Sequence, residues 1–146
     1  MSRVVLVAWL AAFLLSGCGG DGNPPVASGI VVQGKVVKGG QPLAVPRQDV
    51  GFGMVQVMLI PVSGSGETER CSAKPDGTFQ VLGAGKGLPA GRYKLAVYQR
   101  DKGIESDLLE GAFSEQKTPI VVELPEKNVG GRLDLGVIEL DSYSKK

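Results

Sequence analysis

The chain has 146 residues, enough for one domain, and its 16 Lys and Arg residues almost balance 15 Asp and Glu residues. A chain so close to neutral offers no polycationic surface, so we expect no nucleic-acid partner. The sequence contains no His, which removes the commonest general base near neutral pH and the commonest metal ligand. Its 22 Gly and 9 Pro residues favour a β protein with many turns, because both types destabilise helix interiors.

The first residues have the organisation of an export signal. Arg3 gives a positive start, and residues 4–15 form an unbroken apolar run. As a helix this run would rise only about 18 Å, which is too short for a bilayer core of about 30 Å. We therefore expect residues 1–17 to be a signal peptide rather than a membrane anchor.

The sequence Leu-Ser-Gly-Cys at residues 15–18 resembles the lipobox of bacterial lipoproteins. In that family the chain is cut before the Cys, whose sulfur carries a diacylglycerol and whose amine is acylated, commonly with palmitate. The resemblance implies lipid attachment at Cys18, and so a membrane partner held through that lipid. Gly19 rather than Asp follows the Cys, which in this family favours the outer membrane of the cell envelope. An ordinary secreted protein with a Cys at this position is the alternative.

The rest of the chain divides into a tether, a domain and a tail. Residues 18–28 are rich in Gly and Pro without periodicity, so we predict a lipidated Cys followed by a flexible tether. The domain is expected over residues 29–141 and a polar tail over residues 142–146. Alternating apolar and polar residues predict strands at residues 30–38, 67–74, 79–82, 92–98, 118–124 and 132–140. Residues 55–62 are apolar at nearly every position, which predicts a further strand that is buried on both sides or covered at the centre of a sheet. About seven short strands predict an all-β fold, a single antiparallel β-sandwich.

The alternation is clearest over residues 75–98, where two turns rich in Pro and Gly each precede a strand. The first of these strands contains the apolar residues Phe79, Val81 and Leu82. The residues predicted to face the core are Phe79, Tyr93, Leu95 and Val97. Those predicted to face outward are Arg92, Lys94 and Ala96. Gly136, inside the last predicted strand, indicates a β-bulge.

Five segments are similar to the carboxypeptidase-regulatory-like (transthyretin-like, prealbumin-type) β-sandwich family. They are VQGKV at 32–36, GQPL at 40–43, DGTF at 76–79, LPAGRY at 88–93 and LGVIEL at 135–140. The layout is similar to that of small lipoproteins of planctomycete-type bacteria. Members of the family are mostly non-enzymatic, so the resemblance implies an accessory or adhesion-like role. Segment 44–54 is longer than the corresponding connection in the family.

Few residues offer catalytic or metal chemistry. Hydroxyisourate hydrolases of the transthyretin-like fold use His residues and a C-terminal Tyr-Arg-Gly-Ser, whereas this chain has no His and ends Tyr-Ser-Lys-Lys. A Ser nucleophile would need a Lys or a carboxylate as its base. The acidic residues considered as metal ligands have no EF-hand-like spacing; they are Asp76, Asp134, Glu139 and Asp141. We therefore predict no catalytic residue, metal site or cofactor.

Two further residue sets bear on function. Cys71 is predicted to be a small buried residue beside Ala73, with intermolecular pairing or redox use as the alternative. Carbohydrate binding by a β-sandwich usually needs exposed aromatic side chains that stack on sugars. Carbohydrate binding by this domain would therefore require that three aromatic residues cluster on one exposed face: Phe52, Tyr98 and Tyr143.

These observations favour a lipid-anchored protein of the cell envelope with a non-catalytic structural, interaction or accessory role. A carbohydrate-binding or other ligand-binding module at the cell surface is the alternative. In either case an unknown protein or glycan in the envelope would be the partner. We expect loops 44–54 and 99–117 to bind that partner, because they are the longest connections. Alternatively, both loops cap the open ends of the sandwich.

Overall fold

The computed structural model describes residues 28–46, 52–63 and 66–144. Their strands are β1 (Val31–Lys38), β2 (Gln41–Pro42), β3 (Met54–Pro61), β4 (Glu69–Ala73), β5 (Thr78–Val81), β6 (Gly91–Arg100), β7 (Val121–Leu124) and β8 (Arg132–Glu139). The predicted signal peptide, the lipidation site at Cys18, most of the tether and the centre of loop 44–54 lie outside the described residues. Among the described residues, no helix is long and apolar enough to cross a membrane.

The strands form two packed sheets, which confirms the predicted all-β sandwich. In the first sheet β1 is central, with β8 along one side and β5 and the short β2 along the other. The second sheet has the order β4-β3-β6-β7. The extra strand relative to the predicted seven is β2, which the sequence placed within a turn.

The pairing of β1 with β8 is parallel, whereas an antiparallel sandwich was predicted. The chain direction explains the difference. β7 is antiparallel to β6 and ends beside its start, at the end of the sandwich where Ile30 bridges Leu88 and β1 begins. The turn at residues 125–131 therefore sends β8 back in the direction of β1.

The core lies between the inner faces of the two sheets. Tyr93, Leu95 and Val97 are buried, as predicted. Ala96 was predicted to face outward and is nevertheless fully buried; in the register of the sheet it lies opposite Met58 of β3. β5 ends at Val81, one residue earlier than predicted, and the Leu82 side chain that follows it is half exposed.

Gly136 forms the predicted β-bulge. Gln33 pairs with Asp134 but Lys35 pairs with Val137, so β8 contains one residue more than the matching part of β1. Gly136 has a φ of 68°, a left-handed conformation that glycine adopts without steric cost. The bulge shifts the register of β8 against β1 by one residue.

The two sheets are joined along one side by the β4–β5 hairpin. The Lys74 amide donates to the Thr78 carbonyl, and the Gly77 amide donates to the Lys74 carbonyl, both at 2.8 Å. Because β4 belongs to the second sheet and β5 to the first, this turn carries the chain between them. The outer surface is therefore continuous from β8 across β1 and β5 to β4.

Segment 99–117 agrees in part with the alternative that this loop caps the sandwich. Its first two residues complete β6, and two of its apolar side chains, Leu109 and Phe113, are buried in the core. The Val97 amide donates to the Phe113 carbonyl at 3.0 Å, so the segment covers the edge of β6 beyond β7. Ile104 and Leu108 are exposed, so the apolar side chains of this segment that a partner could reach lie in its first part.

The end of the domain is ordered further than predicted. Leu140 is fully buried and begins a 3-10 turn, Leu140–Ser142, and the Tyr143 amide donates to its carbonyl at 3.0 Å. This turn holds the start of the predicted polar tail against the core.

Candidate functional site

A groove with a volume of about 620 Å³ lies on the outer surface of the first sheet and continues onto β4. We call it the outer groove. Its lining residues are Gln33, Gly34, Lys35, Ser72, Lys74, Thr78, Phe79, Gln80, Arg132, Asp134, Gly136 and Val137. The volume falls in the range of about 300–1,000 Å³ that is typical of small-molecule sites.

The alternation of β1 determines which side chains reach the groove. Val32 and Val36 are buried in the core, so Gln33 and Lys35 point to the opposite face. Gln33 pairs with Gln80 of β5 on one side and with Asp134 of β8 on the other. These three side chains therefore form a row across three strands, each about 4.8 Å from the next.

Asp134 is a fixed hydrogen-bond acceptor within this row. Its Oδ1 accepts from the Gly136 amide at 2.8 Å, and its Oδ2 accepts from Gln33 Nε2 at 3.1 Å. These bonds, chiefly the one from Gly136, lower the pKa of the Asp134 carboxyl group, because they stabilise the carboxylate. Asp134 is consequently ionised at neutral pH and oriented by the bulge.

Two glycines shape the floor of the groove. A Cβ built on Gly34 would lie 3.0 Å from Cζ of Phe79, so the absence of a side chain lets the buried Phe79 ring pack directly beneath β1. A Cβ built on Gly136 would project into open space. The absence of a side chain at this position therefore leaves the groove unobstructed. The floor is therefore backbone with an aromatic ring below it.

Three cations line the groove: Lys35, Lys74 and Arg132. Asp76 lies close to the two lysines, since both lower the pKa of its carboxyl group after the larger effect of its hydrogen bonds from Thr78. Among the described residues, the Arg132 guanidinium has no hydrogen-bond or ionic partner. It is the least compensated charge of the groove.

Cys71 faces inward opposite Val57, as predicted, and packs against the core. It is half-buried rather than fully buried. Burial raises the pKa of the Cys71 thiol to about 11, against a smaller lowering by the Gln80 backbone amide. The thiol is therefore protonated at neutral pH, and its reactivity is correspondingly low.

The three aromatic residues considered for sugar stacking are held by different parts of the chain. Phe52 is 60% exposed and directly precedes β3. The Tyr98 hydroxyl accepts from the Glu115 amide at 3.1 Å, and the Arg100 guanidinium lies 4.5 Å from the centre of its ring. Tyr143 lines a smaller cavity beside Phe113. Arg100 thus already occupies one face of the Tyr98 ring.

Three of the four acidic residues considered as metal ligands, Asp76, Asp134 and Glu139, accept hydrogen bonds through their carboxylates. Glu139 accepts from the Gly40 amide at 2.7 Å, the Gly39 amide at 2.9 Å and the Asp141 amide at 3.1 Å. Asp76 accepts from the amide and the hydroxyl of Thr78. Across residues 28–46, 52–63 and 66–144 there is no group of three or more His, Cys, Asp or Glu side chains that could hold a metal ion.

Sequence reasoning missed the outer groove. The alternation of residues 30–38 places Gln33 and Lys35 on one polar face, and that alternation was the available signal. Their neighbours on β5, β8 and β4 come from distant parts of the chain, so the concave surface depends on the strand order. The groove could not be assembled from local patterns.

Comparisons with known proteins do not identify a relative from which a function could be inferred. No family model matches the chain, and no curated protein matches it. Among solved structures, a 9R-lipoxygenase from Cyanothece PCC8801 aligns at 15% identity with a TM-score of 0.37. The alignment covers 80% of this chain and 17% of the lipoxygenase chain. A similarity this low supports no functional argument.

Proposed function

We propose that this chain is a lipid-anchored protein of a bacterial cell envelope and that its β-sandwich has a non-catalytic interaction role. The export signal and the lipobox-like sequence ending at Cys18 support the anchor. The resemblance of five segments to carboxypeptidase-regulatory-like domains supports the accessory role. The outer groove is the observation that carries the binding role, because it is a ligand-sized concavity lined by polar side chains.

The attachment of the N-terminal segment fits this arrangement. The Gly29 amide donates to the Lys86 carbonyl at 2.7 Å, and Ile30 exchanges two backbone hydrogen bonds with Leu88. The domain is therefore fixed to its tether at one end of the sandwich. Phe52, Ile104 and Leu108 precede or follow strands at the opposite end, so that end lies away from the tether attachment.

The chemistry of the groove supports a binding role rather than catalysis. The Thr78 hydroxyl donates to Asp76 Oδ1 at 2.6 Å, which resembles a nucleophile paired with a base. However, the same oxygen also accepts from the Thr78 amide, and these bonds lower the pKa of the carboxyl group. A carboxylate of lowered pKa is a weak base, and the arrangement is that of a turn stabilised by its Asp side chain.

The lipid anchor is tested with Cys18→Ala in cells supplied with labelled palmitate. We expect the variant to accumulate as an uncleaved precursor without label, because the acceptor sulfur is missing. Cys71→Ala is the matched control and should be labelled and processed like the unmodified chain. Normal labelling and membrane fractionation of Cys18→Ala would show that the anchor is elsewhere or absent.

A ligand-binding role at the cell surface is the second proposal, and the amide side chains of the outer groove favour it. Gln33 and Gln80 project from adjacent strands onto the same face, where each amide offers both donors and an acceptor. Screening the domain against a glycan array tests this role. Retention of a glycan class by the domain supports it, and an array without any bound glycan counts against it.

A further inference from the structure

We propose that the outer groove binds an acidic oligosaccharide whose carboxylate pairs with Arg132. Sugar hydroxyls would bind the row formed by Gln33, Gln80 and Asp134. This inference rests on the ligand-binding role proposed above and is independent of the lipid at Cys18.

The backbone of β1, which forms the floor of the groove, has no free hydrogen-bonding edge to which a ligand could pair. β1 is paired with β8 on one side and with β5 and β2 on the other, so its amides and carbonyls are already engaged along the sheet. A peptide therefore cannot add to β1 as a further strand. A ligand lying in the groove must be recognised by outward-facing side chains.

These side chains are suited to hydroxyl groups. Gln33 and Gln80 supply amide donors and acceptors, and Ser72 supplies a hydroxyl. Asp134 adds a carboxylate that is held in place by Gly136 and Gln33. The row across β8, β1 and β5 spans about 10 Å at the usual strand spacing. A short linear ligand with closely spaced hydroxyls fits this row better than an apolar molecule does.

The charges of the groove favour an acidic ligand. Three cations line it, against the carboxylates of Asp134 and the adjacent Asp76, which gives a net charge of +1 (3 − 2). The two lysines lie close to Asp76, whereas the Arg132 guanidinium has no partner among the described residues. A planar guanidinium binds a carboxylate through two parallel hydrogen bonds, so Arg132 is suited to a uronic acid group.

The position of Arg132 sets the direction of the ligand. Arg132 pairs with Val31 at the start of β1, and Asp134 lies two residues further along the same face of β8. Side chains two residues apart on a strand are separated by about 6.8 Å. The carboxylate would therefore lie towards the tether end, with the neighbouring hydroxyls over Gln33 and Gln80.

The test is calorimetric titration of residues 19–146, without lipid, with tetrasaccharides of galacturonic, glucuronic and mannuronic acid. The buried core extends from Ile30 to Leu140, so this chain retains all of it. Each tetrasaccharide is compared with its methyl ester, which keeps the hydroxyls and removes the charge. We expect at least one acid to bind and its ester to bind at least tenfold more weakly.

Two matched variants locate the binding. Arg132→Gln should weaken binding of the acid at least tenfold and abolish the difference between acid and ester. Arg92→Gln, on the outer face of the second sheet, removes the same charge and should change the affinity less than twofold. Gln80→Ala should weaken both acid and ester several-fold, because it removes contacts to hydroxyls. Both arginine variants should melt at the temperature of the unmodified domain, since Arg132 and Arg92 are exposed.

Several results would overturn the proposal. These are the absence of binding by all three acids, equal affinity for acid and ester, and equal effects of Arg132→Gln and Arg92→Gln. Equally tight binding of a tetraglutamate peptide would show that the groove responds to charge rather than to sugar. Because the titrated chain carries no lipid, these results are separate from those of the Cys18→Ala experiment.

Discussion

Leu95 and Lys94 are neighbours in β6 that lie on opposite faces of the sheet. Leu95 is fully buried between the sheets, whereas Lys94 lies on the outer face. Leu95→Ala should lower the free energy of unfolding by about 2–5 kcal/mol, because it leaves a cavity in the core. Lys94→Ala should change it by less than about 0.5 kcal/mol. Urea denaturation measures both, and equal losses for the two variants would contradict the strand register.

At the residue scale, the alternation of the sequence predicted burial correctly for large side chains on the inner face of a strand. Tyr93 and Val97 follow the alternation of β6 and are buried as predicted. Ala96 breaks the rule, because it follows the outward-facing positions of the alternation and is nevertheless fully buried. The alternation gives the direction in which a side chain points. Its exposure also depends on the sizes of its neighbours, which only the register reveals.

At the element scale, Glu139 fastens the turn between β1 and β2 to the end of β8. Its carboxylate accepts hydrogen bonds from the Gly40, Asp141 and Gly39 amides, which lower the pKa of this carboxyl group below its usual 4.5. Because the pKa of Glu139 is lower in the folded protein than in the unfolded chain, its ionised carboxylate stabilises the fold at pH values above the pKa of the unfolded chain. That contribution is lost as the pH falls through the folded pKa.

Glu139→Gln should therefore lower the melting temperature at pH 7. The difference from the unmodified domain should shrink as the pH falls below about 4.5, where the carboxylate itself becomes protonated. Glu67→Gln, at an exposed position ahead of β4, is the control and should melt like the unmodified domain at every pH. Melting curves of the three proteins between pH 7 and pH 3 measure this. If the melting temperature of Glu139→Gln is lower than that of the unmodified domain by the same amount at pH 3 as at pH 7, the result would argue against the carboxylate contacts.

The strands themselves were largely predictable, because turns rich in Pro and Gly bound short alternating segments. The bulge at Gly136 was also predictable, since a lone glycine inside a strand pattern indicates one. The packing of segment 99–117 was not predictable from the sequence. Leu109 and Phe113 are buried because the segment lies against β6, and their spacing in the sequence has no period that would indicate it. Local pattern cannot show which of several loop hydrophobic residues lies inside.

At the scale of the whole molecule, the parallel pairing of β1 with β8 brings the two ends of the domain together. This pairing places Arg132 and Asp134 beside Gln33, about 100 residues apart in sequence. No local pattern predicts such a pairing, so the outer groove emerged only from the strand order. The proposed export signal is the opposite case, because such a signal is recognised from a short continuous segment of sequence.

The most direct test of the proposed envelope role is the intact mass of the protein purified from the membranes of cells that produce it. We predict a chain that begins at Cys18 and carries the added mass of a diacylglycerol on sulfur and an acyl group on the amine. Fragmentation should place both groups on this first residue. An unmodified chain, or one cleaved at another position, would contradict the lipid anchor and with it the proposed location.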